Sequence, residues 1–256
     1  MNGFNDGLGE GLGEGLDRYC GAMQSLQATV VASQHENLIA IAGRMVECVE
    51  RDDRILLFGT GHSHMLAEEG HYRAGGLANV VPMLQSALML HEGSILSGRL
   101  ERTAGLARPV FERYQPQAGE MLFIFSNSGV NIAPVEMALL AKEHGLISVA
   151  VCSMAYARVA PLSSAGKRLF EVTDYVIDNG GEQGDSLIVL EGTPWRVGPS
   201  STVINALLWN ALVTEVAFIL QARGAAIPVF GSSNLPGGAE YNATLLQKWR
   251  TRNPHL

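Results

Sequence analysis

Two short stretches of the chain place hydroxyls, amides and glycines where an apolar run gives way to a helical pattern. The first, Gly59-Thr60-Gly61-His62-Ser63, follows Ile55-Leu56-Leu57-Phe58, and the second, Ser126-Asn127-Ser128-Gly129-Val130-Asn131, follows Met121-Leu122-Phe123-Ile124-Phe125. Glycine lets the backbone approach a ligand closely, amides at a helix start point outward, and serine hydroxyls add donors, so each stretch has the parts of an anion cradle. Serine and asparagine are also ordinary helix N-caps. Two such turns at strand ends favour the anion site over the caps. Gly61, Ser63, Ser126, Asn127, Ser128, Gly129 and Asn131 are therefore expected around one phosphate. The first turn lacks the third glycine of G-x-G-x-x-G, and no G-x-x-x-x-G-K-[ST] occurs, so no nucleotide cofactor is expected and a small phosphorylated molecule remains.

Acid–base candidates lie close by. Glu69 follows the first turn, with Glu68 beside it, and Glu215 is the only charged residue between Arg196 and Arg223. A partly desolvated carboxylate makes a suitable base, and a histidine titrating near neutrality a suitable partner. His62 and His64 are expected beside the ligand as donors or acids. With His71 and His91 they cluster within thirty residues, but the spacing matches no zinc signature and no metal is expected. His35, His144 and His255 read as surface residues.

The elements that must position these groups alternate between two periods. Apolar residues at Leu26, Val30, Leu38, Ile41, Met45 and Val49 recur at three- and four-residue steps, predicting a long helix from about 17 to 50. "RILLFGTG", "NVVPML", "EMLFIF", "LISVAV" and "LFEVTDYVI" read as five apolar strands, and helical patterns at 63–75, 99–114, 131–144 and 200–223 separate most of them. Continuous apolar strands alternating with helices predict an α/β fold, a doubly wound, mostly parallel five-stranded sheet with helices on both faces. Ligands of such sheets bind at the carboxyl ends of the strands, beside a reversal of strand order. "LEGTPWRVGPSS" reads as an added hairpin, with Arg196 a candidate for reaching the pocket. Residues 227–256 read as an ordered loop and a helix over 239–251 anchored by Trp249.

Composition narrows the function classes. The 256 residues are 47% hydrophobic and 17% charged, enough apolar material for one core, and the net charge of −7 argues against a nucleic-acid binder. Three cysteines outside any CxxC spacing suit reduced thiols filling the core of a cytoplasmic protein. Residues 1–15 repeat Gly-Leu-Gly-Glu and read as a flexible leader; they have no signal-peptide pattern. The run "TVINALLWNALVTEVAFIL" comes close to a membrane span but is interrupted by Asn205, Asn210, Thr214 and Glu215, so it reads as a helix covered by its own sheet or a partner subunit.

The two serine turns resemble those of the sugar isomerase (SIS) domain proteins, which bind phosphosugars. The resemblance spans about 35–225, within a domain taken as 16–225, with 226–256 as an appendage. It implies that the Gly-x-Gly-x-Ser turn and the Ser-x-Ser-Gly-x-Thr turn, here ending in Asn131, hold the sugar phosphate. It also implies that "GPSSTV" is the turn before the final core helix, with Ser200, Ser201 and Thr202 expected to bind the substrate. "SHMLAEEGHYRAGG" is most similar to the sedoheptulose 7-phosphate isomerases, whose catalytic glutamate would be Glu69; their second acid–base group, a histidine on the final core helix, has no counterpart in 200–223. The resemblance implies at least a homodimer, a dimer or higher homo-oligomer, and an aldose–ketose sugar-phosphate isomerase acting through an enediol. A non-catalytic sugar-phosphate sensor and a lyase or etherase remain as alternatives. Neither a nucleic acid nor a membrane is expected as a partner.

Overall fold

Alternation along the strands decides which core each side chain enters, and it explains why the strands are apolar throughout. In β1 (Ile55–Gly59), Ile55 and Leu57 enter one core while Leu56 and Phe58 enter the other. In β3 (Met121–Phe125), Met121, Phe123 and Phe125 share the first core and Leu122 and Ile124 the second. A sheet covered on both faces has no wet side to alternate towards. With β2 (Val80–Pro82), β4 (Ile147–Cys152) and β5 (Tyr175–Asp178), these strands form one parallel sheet in the order β2-β1-β3-β4-β5. The expected doubly wound five-stranded sheet is thus present in this computed structural model, which describes residues 12–256.

Helices cover both faces. The first core is closed by α1 (Glu14–Glu50), α2 (Met65–Glu69) and a long apolar helix, Ser201–Ala222, numbered α8 below. The second is closed by α4 (Ala107–Arg113), which follows α3 (Ser94–Leu100), and by α5 (Ile132–Glu143). The short α6 (Met154–Ala157) and α7 (Leu169–Val172) flank β4 and β5, and the hairpin of β6 (Ser186–Val189) and β7 (Arg196–Pro199) leads into α8. Helix α8 is long and apolar enough to cross a membrane, yet Ile204, Leu208, Trp209, Leu212 and Val216 on it are buried in the first core.

Several local expectations are corrected. The pattern at 63–75 is a 3-10 turn, Gly61–His64, and the short α2, which stops at Gly70. A Cβ there would sit 2.3 Å from the Leu57 Cδ1, so glycine lets the chain press onto β1. The helix expected at 99–114 is broken by Gly105, which has a positive φ of 81° and whose amide is held by the Glu136 carboxylate at 2.8 Å. "LFEVTDYVI" begins as helix because the Glu171 carboxylate accepts from the Arg168 amide and caps it; the strand starts only at Tyr175. Of the three cysteines, Cys48 and Cys152 are buried, burial pushing each thiol up to about 12, but Cys20 is exposed on α1. His255 is half-buried and bonded to the Tyr114 hydroxyl at 2.8 Å, and burial lowers its pKa. The leader at 1–15 lies mostly outside the described residues; helix α1 begins within it, at Glu14.

The C-terminal segment is stitched to the sheet edge. Gly75 donates to the Phe230 carbonyl at 2.8 Å, Phe230 donates back to Gly76 at 2.9 Å, and Trp249 of α9 (Gly238–Trp249) is buried with Ala78 and Phe230. Below, at the amino ends of β1 and β3, lies a buried ion pair. Glu120 accepts from the Arg54 Nε at 2.6 Å and Nη2 at 2.7 Å, and Arg252 and the Gln117 amide add to the same carboxylate. The remaining Arg54 donors reach the carbonyls of Tyr114, Gln115 and Arg252.

Removing one member of a buried pair strands the other, so Glu120→Gln is expected to cost about 3–5 kcal/mol in chemical denaturation. Asp52→Asn, which breaks the exposed ion pair to Lys248, should stay within about 1 kcal/mol.

Candidate functional site

The strand order places β1 beside β3 while the chain continues outward from each in opposite directions, to β2 on one side and β4 on the other. The crevice between their carboxyl ends is the expected ligand position for this order. It is occupied by a cleft of about 390 Å³ whose walls include Thr60, Gly61, His62, Ser63, Ser126, Asn127, Ser128 and Asn131. The two turns singled out in the sequence thus face one space.

Each turn is folded by glycine and hydrogen bonds. A Cβ on Gly59 would lie 2.3 Å from the Ser63 carbonyl oxygen, so no other residue lets the 3-10 turn fold back over the end of β1. Gly61 and Gly129 take positive φ values of 55° and 60°, and Gly129 closes its turn by donating to the Ser126 carbonyl at 3.0 Å. Asn131 sits at the N-cap of α5, but its side chain makes no cap bond and lines the cleft instead. Asn127 is oriented from behind. The Gly181 amide donates to the Asn179 Oδ1, which obliges the Asn179 Nδ2 to act as donor to Asn127 Oδ1 and Asn205 Oδ1, each at 3.0 Å. Asn127 therefore turns its oxygen inward, and its Nδ2 is a buried donor with no acceptor among the described residues.

The second helix start at the cleft is already filled. Asp185, in a left-handed conformation with φ of 70°, accepts from the Ser201 amide at 2.8 Å, the Ser201 hydroxyl at 2.7 Å, and the Ser200 amide and hydroxyl at 3.2 Å each. A carboxylate capping a helix N-terminus is favourable on both hydrogen-bonding and dipole grounds. Ser201 lines the cleft with its donors spent; Ser200 is buried behind it, and Thr202 is not among the lining residues.

The acid–base candidates separate. His62 is exposed and lines the cleft. His64 is buried, receives the Gln85 amide at Nε2 and faces Glu68 through Nδ1 at 3.3 Å; burial is the main cause of its lowered pKa, opposed by Glu68. Glu69 pairs with Arg73 and accepts from the Asn210 Nδ2 of α8 at 3.2 Å, outside the cleft lining. Glu215 is exposed on α8 and also outside it. Arg196 bonds to the carbonyls of Ser186 and Leu187 across its own hairpin. Among the described residues, no three His, Cys, Asp or Glu side chains gather as around a metal ion, and no Lys or Arg lines the cleft.

Sequence reading missed two carboxylates. Asp185 lies between a glycine and the hairpin, and Glu101 lies where one continuous helix was expected. Glu101 accepts from the Thr60 hydroxyl at 2.7 Å and pairs with Arg102 at 2.7 Å, its side chain 14% exposed. Tyr156, Ser94 and Ser97 complete the walls. Only the break at Gly105 could have signalled that the end of α3 turns back to Thr60.

Similarity to known proteins follows the same architecture. The phosphoheptose isomerase of Neisseria gonorrhoeae superposes with a TM-score of 0.54 over 80% of this chain and 98% of that one, at 18% identity. An E. coli protein solved in complex with a phosphosugar gives 0.51 over 84% and 94%, at 12% identity. Both likenesses concern the fold. In sequence, a UPF0309 protein of Brucella anthropi is 44% identical over 205 residues, covering 80% of this chain and 84% of its own, and one of Brucella canis is 42% identical over 220 residues, covering 86% and 87%. The SIS domain model matches residues 18–153, from within α1 through β4 and both serine turns, and the chain belongs to the SIS domain family.

Proposed function

We propose that the cleft binds the phosphate of a small phosphosugar and that the protein is an aldose–ketose sugar-phosphate isomerase. The observation that carries this reading is the meeting of the two serine turns over one cleft that contains hydroxyls, amides and carboxylates but no lysine or arginine among the described residues. An anion held without fixed cations needs oriented N–H and O–H donors, and Ser63, Ser126, Ser128 and Asn131 line the cleft to supply them. The sugar then extends over Thr60 and His62. Isomerisation requires a base to move a proton between C1 and C2 and a donor for the sugar oxygens, and carboxylate and imidazole groups line the cleft. The protein of E. coli named above was solved with a phosphosugar bound, which supports a ligand of that class for this fold.

One observation favours a second reading, a sugar-phosphate sensor. Glu69, the carboxylate implied by the likeness to the heptose enzymes, is tied to Arg73 and Asn210 outside the cleft. Proton exchange from a bound sugar separates the two readings.

Changing Ser126 and Ser128 together to alanine removes two charge-assisted hydrogen bonds worth about 1.5–3 kcal/mol each. Affinity for sugar phosphates by calorimetric titration should fall at least tenfold, with little change in melting temperature; unchanged affinity would place the phosphate elsewhere. A homodimer is also expected. On α8, Phe218 is 65% and Val203 45% exposed, and Val31 and Ile39 of α1 are exposed as well, more apolar surface than two helices leave to water. Light scattering at micromolar concentration should return at least twice the chain mass; a monomer contradicts the expectation.

A further inference from the structure

We infer that Glu101 is the carboxylate that exchanges the C1–C2 proton, an assignment that rests on the isomerase reading above. Among the described residues, four ionisable side chains line the cleft: His62, Glu101, Tyr156 and Asp185. Two of them are carboxylates. Asp185 has both oxygens committed to the start of α8, where Ser200 and Ser201 supply four donors, and to pick up a proton it would have to give up part of that cap. Glu101 receives one bond from Thr60 and one from Arg102, and a carboxylate has about four acceptor positions, so it retains room for a substrate proton.

Its placement suits the task. The Glu101 carbonyl accepts from the Ala133 amide in the first turn of α5 at 3.0 Å, so its backbone is fastened beside the phosphate turn. Its side chain reaches the other turn, bonding Thr60 at the end of β1, the strand paired with β3. The residue therefore bridges the two turns, its backbone held at the start of α5 and its carboxylate at Thr60. The Thr60 hydroxyl, itself buried, fixes the direction of the carboxylate without supplying a competing charge. Glu69 is not among the residues that line the cleft.

The step balances without any co-reactant. Glu101 takes the proton from C2 of the open-chain aldose phosphate, the C2 electron pair forms the C1–C2 double bond of the enediol, and O1 gains a proton from the cleft mouth, where His62 is exposed. Return of the proton from Glu101 to C1, with loss of the O2 proton, gives the ketose phosphate.

The test uses the full chain in heavy water with a panel of pentose, hexose and heptose phosphates, following binding by calorimetry and exchange at C2 by proton NMR. Glu101→Gln is expected to keep affinity within about threefold while slowing exchange about 10²-fold or more, the usual scale of general-base catalysis. Glu101→Asp, which keeps the charge and withdraws it by one methylene, should retain exchange at an intermediate rate, and this variant decides the matter if the glutamine form does not fold. Exchange in Glu101→Gln at the parent rate, with sugar phosphate bound, overturns the assignment, and loss of exchange in Glu69→Gln alone hands the role to Glu69. A parent chain that binds a sugar phosphate but exchanges no proton removes the isomerase reading and this assignment together; one that binds none of the panel removes the phosphosugar reading itself.

Discussion

Everything in the cleft depends on the parallel pairing of β1 with β3. Their register runs from Ile55 opposite Met121 to Gly59 opposite Phe125, so both strands end at the same level. A shift of one residue would reverse the side chains of a strand between the two cores, which Leu57 and Phe58, or Phe123 and Ile124, could not satisfy from the wrong face. Register is therefore fixed by packing, and fixing it puts Thr60 and Ser126 side by side above the sheet. Gly59 then allows the first turn to fold back, and Gly129 closes the second, so that both deliver donors to one space.

The two helices that start at this space have been given different partners. At α8 the orphan amides are met by Asp185, an internal anion that shares the helix start with Ser200 and Ser201. At α5 the N-cap side chain forms no such bond, and Asn127 nearby carries a donor without an acceptor among the described residues, held in that orientation by Asn179 and Asn205. The first turn of α5 itself has few amides to offer, because Ala133 donates to the Glu101 carbonyl and Pro134 has no N–H, so the open donors there belong to the serine turn. On the α8 side Asp185 and Ser201 line the cleft, while Ser200 is buried behind them.

Long periodic segments were legible in the sequence because their patterns are set by burial alone. The strand runs at β1, β3 and β4 and the helices α1, α5 and α8 fell within a few residues of their observed bounds. The two turns were legible because glycine and serine recur together at two strand ends, where a single such turn would read equally well as an N-cap. What was not legible depended on tertiary partners. The break at Gly105 requires the Glu136 carboxylate from another helix, the helical start of the run at 169 requires the capping glutamate, and the approach of Glu101 to Thr60 requires both the break and the strand order. Glu69 is implied by the likeness of "SHMLAEEGHYRAGG" to the heptose enzymes; α2 ends at that residue, and its carboxylate accepts from Asn210 of α8.

The two ends of the sheet differ in how they are held. At the amino ends, Arg54 and Glu120 are buried, bonded to each other and to four backbone groups, and Arg252 ties the C-terminal segment to the same carboxylate. Such a pair adds little net stability over apolar packing, but it leaves few alternative arrangements for the strands it joins. At the carboxyl ends the walls are short: a four-residue 3-10 turn, the five-residue α2 and the seven-residue α3, joined by exposed segments such as 91–96. Short helices draw little stability from their own hydrogen bonds and depend on what they pack against. The floor therefore keeps Thr60 and Ser126 in place, and the end of the α3 wall is tied to it at two points, the Glu101 carbonyl by the Ala133 amide and the Glu101 carboxylate by the Thr60 hydroxyl.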